Sequence, residues 1–134
     1  MIPFRGSGGS LDLLLDTHVL VWFATGDARL GQEFLSLLPH AGTRLFVSAV
    51  TAHEYVDLLT RGRFGEGVGL DRLRDLMGFH LLDFPAACWA AVQTLPDIHR
   101  DPVDRMLLAH AIALDLPLAT ADATLARYPV RVVW

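Results

Sequence analysis

The chain has 134 residues, one cysteine, eleven arginines and no lysine, and its formal charge is −4. One domain with a substantial core fits that length, while a lone Cys88 excludes an intrachain disulfide and a thiolate zinc site. The missing lysine excludes a P-loop nucleotide site and Schiff-base catalysis, and the acidic balance argues against broad attraction to nucleic acid, although one clustered acidic site would produce the same excess locally.

Hydrophobic residues make up 52% of the chain, but no stretch approaches the length of a membrane-spanning helix. Nothing at the start resembles a secretion signal, so the expected compartment is the cytoplasm. Residues 1–10, with Arg5-Gly6-Ser7-Gly8-Gly9-Ser10, read as a flexible tail or linker. That leaves 11–134 as a single domain. Its first predicted element is a strand over Leu11–Leu15, a short apolar run closed by Asp16. A helix follows to about Ala24, and Thr25-Gly26-Asp27 breaks it. A second helix is predicted over Gln32–Leu38, stopped by Pro39 and Gly42.

Arg44–Ser48 reads as the second strand and Ala49–Arg61 as a helix. A glycine-rich, mobile loop (Gly62, Gly65, Gly67, Gly69) leads to an amphipathic helix over Leu70–Met77. The third strand is His80–Asp83, followed by a helix over Pro85–Leu95 with proline at its start. Cys88, between Ala87 and Trp89, reads as core packing. Asp97–Pro102 is a loop, Val103–Leu114 a nearly all-apolar helix and Pro117–Thr120 the fourth strand. Ala121–Arg127 reads as a short helix, and Val130–Trp134 as an edge strand. Repeated strand-to-helix units imply a parallel sheet covered on both faces.

Four carboxylates stand out. Asp16 ends the first strand, where open α/β sheets place their ligand crevices; its ordinary reading is a cap on the following helix. Glu54 falls within the apolar arc of its helix, between Val50 and Leu58, when the sequence is wound at about 100° per residue. A carboxylate buried there needs a pair or a metal, or else it sits at the rim beside an arginine. His53-Glu54 hints at a zinc-protease helix, but position 57 is aspartate where that motif needs histidine. Asp104 shares a face with Leu108 and Ala111 in the first turn of its helix, where the dipole also favours an anion. Asp101, before Pro102, reads as that helix's cap. Asp122 ends the fourth strand as Asp16 ends the first, again with a capping alternative. In a parallel sheet these ends face one side, so Asp16, Glu54, Asp104 and Asp122 would repel one another unless a cation joins them. Oxygen-only ligands suit magnesium or manganese, whose usual work in such a crevice is on phosphate esters.

Leu14-Leu15-Asp16-Thr17-His18-Val19-Leu20-Val21-Trp22, Ser48 through Glu54, the segment His99-Arg100-Asp101-Pro102-Val103-Asp104-Arg105-Met106-Leu107-Leu108-Ala109, and Thr120-Ala121-Asp122 together resemble the PIN-domain family. The branch is similar to the VapC-type toxins of bacterial toxin–antitoxin pairs. The resemblance covers 11–134 and implies a PIN-like three-layer α/β/α sandwich with a central parallel sheet of four to five strands. It also implies a magnesium-dependent endoribonuclease, commonly a homodimer, held inactive by a cognate VapB-type antitoxin. By motif match the family's acidic positions fall on Asp16, Glu54, Asp104 and Asp122, with Asp101 in reserve. Thr17, Ser48 and Thr120 would then orient carboxylates or waters. No histidine is assigned a catalytic role. The long N-terminal tail and the net acidity depart from that pattern.

Arg61, Arg63, Arg100 and Arg105 are candidate phosphate contacts; their ordinary reading is solvated or carboxylate-paired arginine, preferred for Arg105. Two other functions stay open. One is a receiver-like, metal-binding signalling module, which the missing lysine disfavours. The other is an inactive PIN binding subunit, which the retained acidic set disfavours.

Overall fold

The computed structural model describes residues 11–36, 42–64, 67–98 and 101–134. The predicted tail over 1–10, the end of the helix predicted over 32–38, Gly65 of the glycine-rich loop, and His99 and Arg100 lie outside the described residues.

Five strands, β1 (Leu11–Leu15), β2 (Thr43–Ser48), β3 (His80–Leu82), β4 (Leu118–Ala119) and β5 (Val132–Val133), form one sheet in the order β3-β2-β1-β4-β5. Every pairing is parallel. Parallel neighbours require crossovers, and helices supply them: α1 (Thr17–Thr25), α2 (Gln32–Leu35), α3 (Ala49–Thr60), α4 (Leu70–Met77), α5 (Cys88–Thr94) and α6 (Pro102–Leu114).

Side chains alternate across β1 and divide the core in two. Leu13 and Leu15 face a cluster with Val19, Leu20, Tyr55, Leu73 and Met77, from α1, α3 and α4. Leu14 faces the opposite cluster, with Leu107, Leu108 and Ala111 of α6 together with Leu118, Leu125 and Tyr128. The molecule is therefore a three-layer α/β/α sandwich, and β1 carries apolar side chains on both faces, as the middle of a parallel sheet must. Leu14 is fully buried at that centre. Leu14→Ala is expected to cost about 3 kcal/mol or more, read as a lower urea midpoint at unchanged slope.

Local chemistry sets the ends of the elements. Gly26 terminates α1 in the left-handed conformation (φ 67°), and its N–H bonds back to the Phe23 and Trp22 carbonyls. The Tyr55 hydroxyl donates to the Val68 carbonyl, which fastens the segment leading into α4 against α3. Buried Cys88 sits in the packing, as expected.

Two predicted helices are clearly shorter than expected, those over 85–95 and 121–127. A single turn at Ala28–Leu30 precedes α2, whose described part ends at Leu35. The helix predicted from Pro85 begins at Cys88, because the intervening N–H groups close tight i to i+3 bonds, Cys88 to Pro85 and Trp89 to Ala86. The helix predicted over 121–127 is only a turn at Leu125–Arg127. There the Asp122 carboxylate takes the Thr124 N–H at 2.9 Å, competing with helical bonding.

Candidate active site

The register sets the site. Leu14 pairs with Phe46 on one side and Leu118 on the other, and Leu15 pairs with Ala119. Two residues further along, Asp16, Ser48 and Thr120 leave the carboxyl edge of β1, β2 and β4 side by side.

Asp16 is buried at this edge, only 4% exposed. It caps α1: one carboxylate oxygen accepts the Thr17 N–H at 2.6 Å. The other accepts the Thr120 hydroxyl at 2.7 Å. Thr120 Oγ1 in turn accepts the Asp122 N–H at 3.1 Å, so one hydroxyl ties the ends of β1 and β4 together. Capping and site-forming, the two readings open for Asp16, describe the same geometry. Burial pushes its carboxyl above the ordinary range and the nearby Asp122 charge adds to that, while the Thr120 bond, His18 and the Thr17 bond pull against it.

Asp16 and Asp122 line one open pocket of about 230 Å³ with His18, Trp22, Arg29 and Ala121. The structure thus brings the first and last of the four expected carboxylates together. It does not add the other two to that pocket. Glu54 is half-buried on α3, whose fully buried positions are Thr51 and Tyr55. It stands at the margin of the buried face and not within it, which corrects the helical-wheel placement: Thr51, a polar type, occupies the most buried stripe. Asp104 is half-buried in the first turn of α6. Among the described residues, no three His, Cys, Asp or Glu side chains group closely enough to hold a metal by themselves.

Asp101, Arg105, Arg61 and Ser48 have structural partners. Asp101 caps α6, accepting the Val103 and Asp104 N–H groups at 2.9 and 3.2 Å. Arg105 donates to the Val92 and Pro96 carbonyls at 3.1 and 2.9 Å, tying α6 to the end of α5. Arg61 reaches Asp57, one turn back, at 3.1 Å. The Ser48 hydroxyl caps α3 through the Val50 N–H and lies 2.9 Å from Nδ1 of buried His110. Burial pushes that imidazole below its ordinary pKa. Thr17 Oγ1, next to Asp16 in sequence, is buried with no hydrogen-bond partner among the described residues.

Sequence reasoning missed His18, Trp22 and Arg29 as pocket walls. The first two follow from helix geometry once Asp16 is the cap, because they lie one turn apart on α1. Arg29 has no comparable signal, since it reaches the pocket only through the turn after α1.

The PIN domain family model matches residues 13–130. The chain belongs to the PIN domain family. No curated protein sequence matches it. Among solved structures, this PIN domain is similar to Rickettsia felis VapBC2 bound to a promoter DNA fragment (TM-score 0.69, 16% identity, 91% of this chain and 96% of the other). It is similar to Mycobacterium tuberculosis VapC20, a sarcin–ricin-loop-cleaving toxin (TM-score 0.60, 17% identity, 86% and 93%). It is also similar to VapBC-1 of nontypeable Haemophilus influenzae (TM-score 0.53, 20% identity, 87% and 91%). These likenesses are of fold.

The donors present fit a hard divalent cation. Asp16 and Asp122 offer only oxygen, and magnesium is commonly held by one or two carboxylates together with substrate phosphates. A buried carboxylate that resists ionisation is one whose charge a cation would offset, and the unpartnered Thr17 hydroxyl beside it is a further polar group for an ordered water. No described helix is long and apolar enough to cross a membrane.

Proposed function

We propose that this PIN domain is a magnesium-dependent endoribonuclease, the VapC-type toxin of a toxin–antitoxin pair, hydrolysing RNA phosphodiester bonds. One observation carries the reading: buried Asp16 shares an open pocket with Asp122 at the carboxyl edge of the sheet. Magnesium, with manganese as a substitute, would supply charge neutralisation at the phosphoryl oxygens and acidify water. Asp16 and Asp122 would hold it, with Glu54 from α3 and Asp104 from α6 completing the acidic set.

Thr120 keeps one Asp16 oxygen fixed and leaves the carboxylate acceptor capacity toward the pocket. The Thr17 N–H and the α1 amino end stabilise its ionised form. No histidine needs to move a proton in this scheme. Two neighbours were solved as VapBC assemblies, which supports a VapB-type antitoxin as partner. A homodimer and a cytoplasmic location complete the reading.

The test is incubation of total RNA with the purified chain, with and without magnesium, and mapping of the ends. Discrete cuts that need magnesium or manganese and vanish with chelator are expected. Intact RNA at every metal concentration would refute the reading. A second reading, a PIN binding subunit without activity, is favoured by one observation: no three-residue metal group forms among the described residues. Calorimetric metal titration separates the two, since a nuclease must take up magnesium at Asp16.

A further inference from the structure

We propose that Arg29 is the substrate-binding residue of this pocket, holding a phosphate of the RNA beside Asp16 and Asp122. The proposal rests on the nuclease reading above. A pocket walled by two carboxylates on a net acidic chain repels a polyanion. Magnesium held there would offset part of that repulsion at the scissile phosphate, and Arg29 and His18 are the basic side chains among the pocket's lining residues that can meet a phosphate directly.

Arg29, although exposed, is held on two sides. Its Nε lies 3.1 and 3.2 Å from the two Asp27 oxygens, and Nη2 lies 2.7 Å from one of them. Asp27 also caps the turn by accepting the Arg29 N–H at 2.9 Å. The guanidinium carbon sits 4.8 Å from the Trp22 ring centroid. Trp22 is itself fixed, edge-on to Trp134 at 5.7 Å.

Held this way, the guanidinium still leaves its side chain 69% exposed. No described residue accepts a hydrogen bond from Nη1. Arginine's planar fork suits phosphate oxygens. Its rotamer is already ordered, so binding loses little side-chain entropy. The Arg29 bonds bring the Asp27 carboxyl down to about 2, so the pair stays ionised throughout any working pH range. The same guanidinium that staples the turn also lines the pocket that holds the two carboxylates.

The test uses the Asp16→Asn chain as a cleavage-silent background and a fluorescein-labelled single-stranded oligoribonucleotide as probe. Adding Arg29→Gln should raise Kd roughly tenfold and lower the slope of log K against log salt by about one. Arg29→Lys, which keeps the charge but not the fork, should fall between. In the active chain, Arg29→Gln should raise KM by a similar factor while kcat falls by less than about threefold. Melting temperatures of all variants report the stapling role separately. Equal affinity and salt slope with and without Arg29 would overturn the proposal, and so would an Asp16→Asn chain that binds no RNA while the parent still cuts it. A parent that neither binds nor cuts RNA would instead overturn the nuclease reading itself.

Discussion

Replacing Asp16 by Asn is expected to abolish RNA cleavage and, at neutral pH, to raise the melting temperature. The two effects share a cause. Burial lifts the carboxyl pKa in the folded chain, with the Asp122 charge acting the same way. The unfolded chain therefore releases this proton at lower pH than the folded one. Stability from this group is complete below the unfolded value and is lost as pH rises through the folded one, so at pH 7 the charge is a burden on the fold. Asparagine removes that burden and keeps the hydrogen bonds: Oδ1 can still accept the Thr17 N–H, and Nδ2 can donate to Thr120 Oγ1, which has a lone pair to spare beside the Asp122 N–H. Activity should drop by about a thousandfold or more, because several kcal/mol of transition-state stabilisation depends on a cation that needs this charge. Magnesium at ten times its Kd should raise the parent's melting temperature by roughly 3–6 °C and leave the variant unmoved. The raised pKa also means that activity should fall on acidification above the usual carboxylate range. Cleavage by purified Asp16→Asn at the parent's rate would refute the assignment, and a magnesium shift that survives the substitution would refute the metal's placement.

Much of this architecture was legible because it depends on short-range pattern. The apolar run Leu13-Leu14-Leu15 closed by Asp16 has few homes except a buried parallel strand, and β1 occupies Leu11–Leu15 as expected. The amphipathic spacing of Leu70, Leu73 and Met77 defines α4 at its predicted bounds. Where the pattern misled, hydrogen bonding had alternatives. Pro85 can open a helix, but tight turns consumed the bonds before Cys88. Asp122 reads as a site carboxylate or a helix cap, but its carboxylate holds the chain in a turn. For the site, Asp16 and Asp122 were accessible because strand ends converge by topology. Glu54 was harder, because a helical wheel weighs residue types and treats Thr51 as polar. The folded chain buries Thr51 completely and leaves Glu54 at the margin. Arg29 was invisible, since nothing local says that the Asp27–Arg29 turn lays a guanidinium over Trp22.

Glu54→Gln and Asp104→Asn are each expected to lower kcat/KM by roughly a hundredfold with little loss of stability. Both residues ride on helices fastened together near the site. The Ser48 hydroxyl, at the start of α3, meets His110 of α6 at 2.9 Å. Glu54 lies about 9 Å along α3 from Ser48, and Asp104 about 9 Å along α6 from His110, toward its amino end. The α3–α6 junction therefore fixes where both carboxylates stand relative to the strand edge. A purely structural role predicts something different. Asp104 in a first turn serves the helix dipole, worth about 0.3–1 kcal/mol, and losing that would lower stability slightly and leave turnover alone. Single-turnover cleavage of a defined RNA, paired with calorimetric magnesium titration, separates the cases. A drop in rate with weakened magnesium uptake makes the carboxylate a ligand; a drop with unchanged uptake makes it a positioning residue for water or substrate. Rates within threefold of the parent for both variants would remove Glu54 and Asp104 from the site. Asp16 and Asp122 would then share the cation with the RNA phosphates alone, an arrangement magnesium readily accepts.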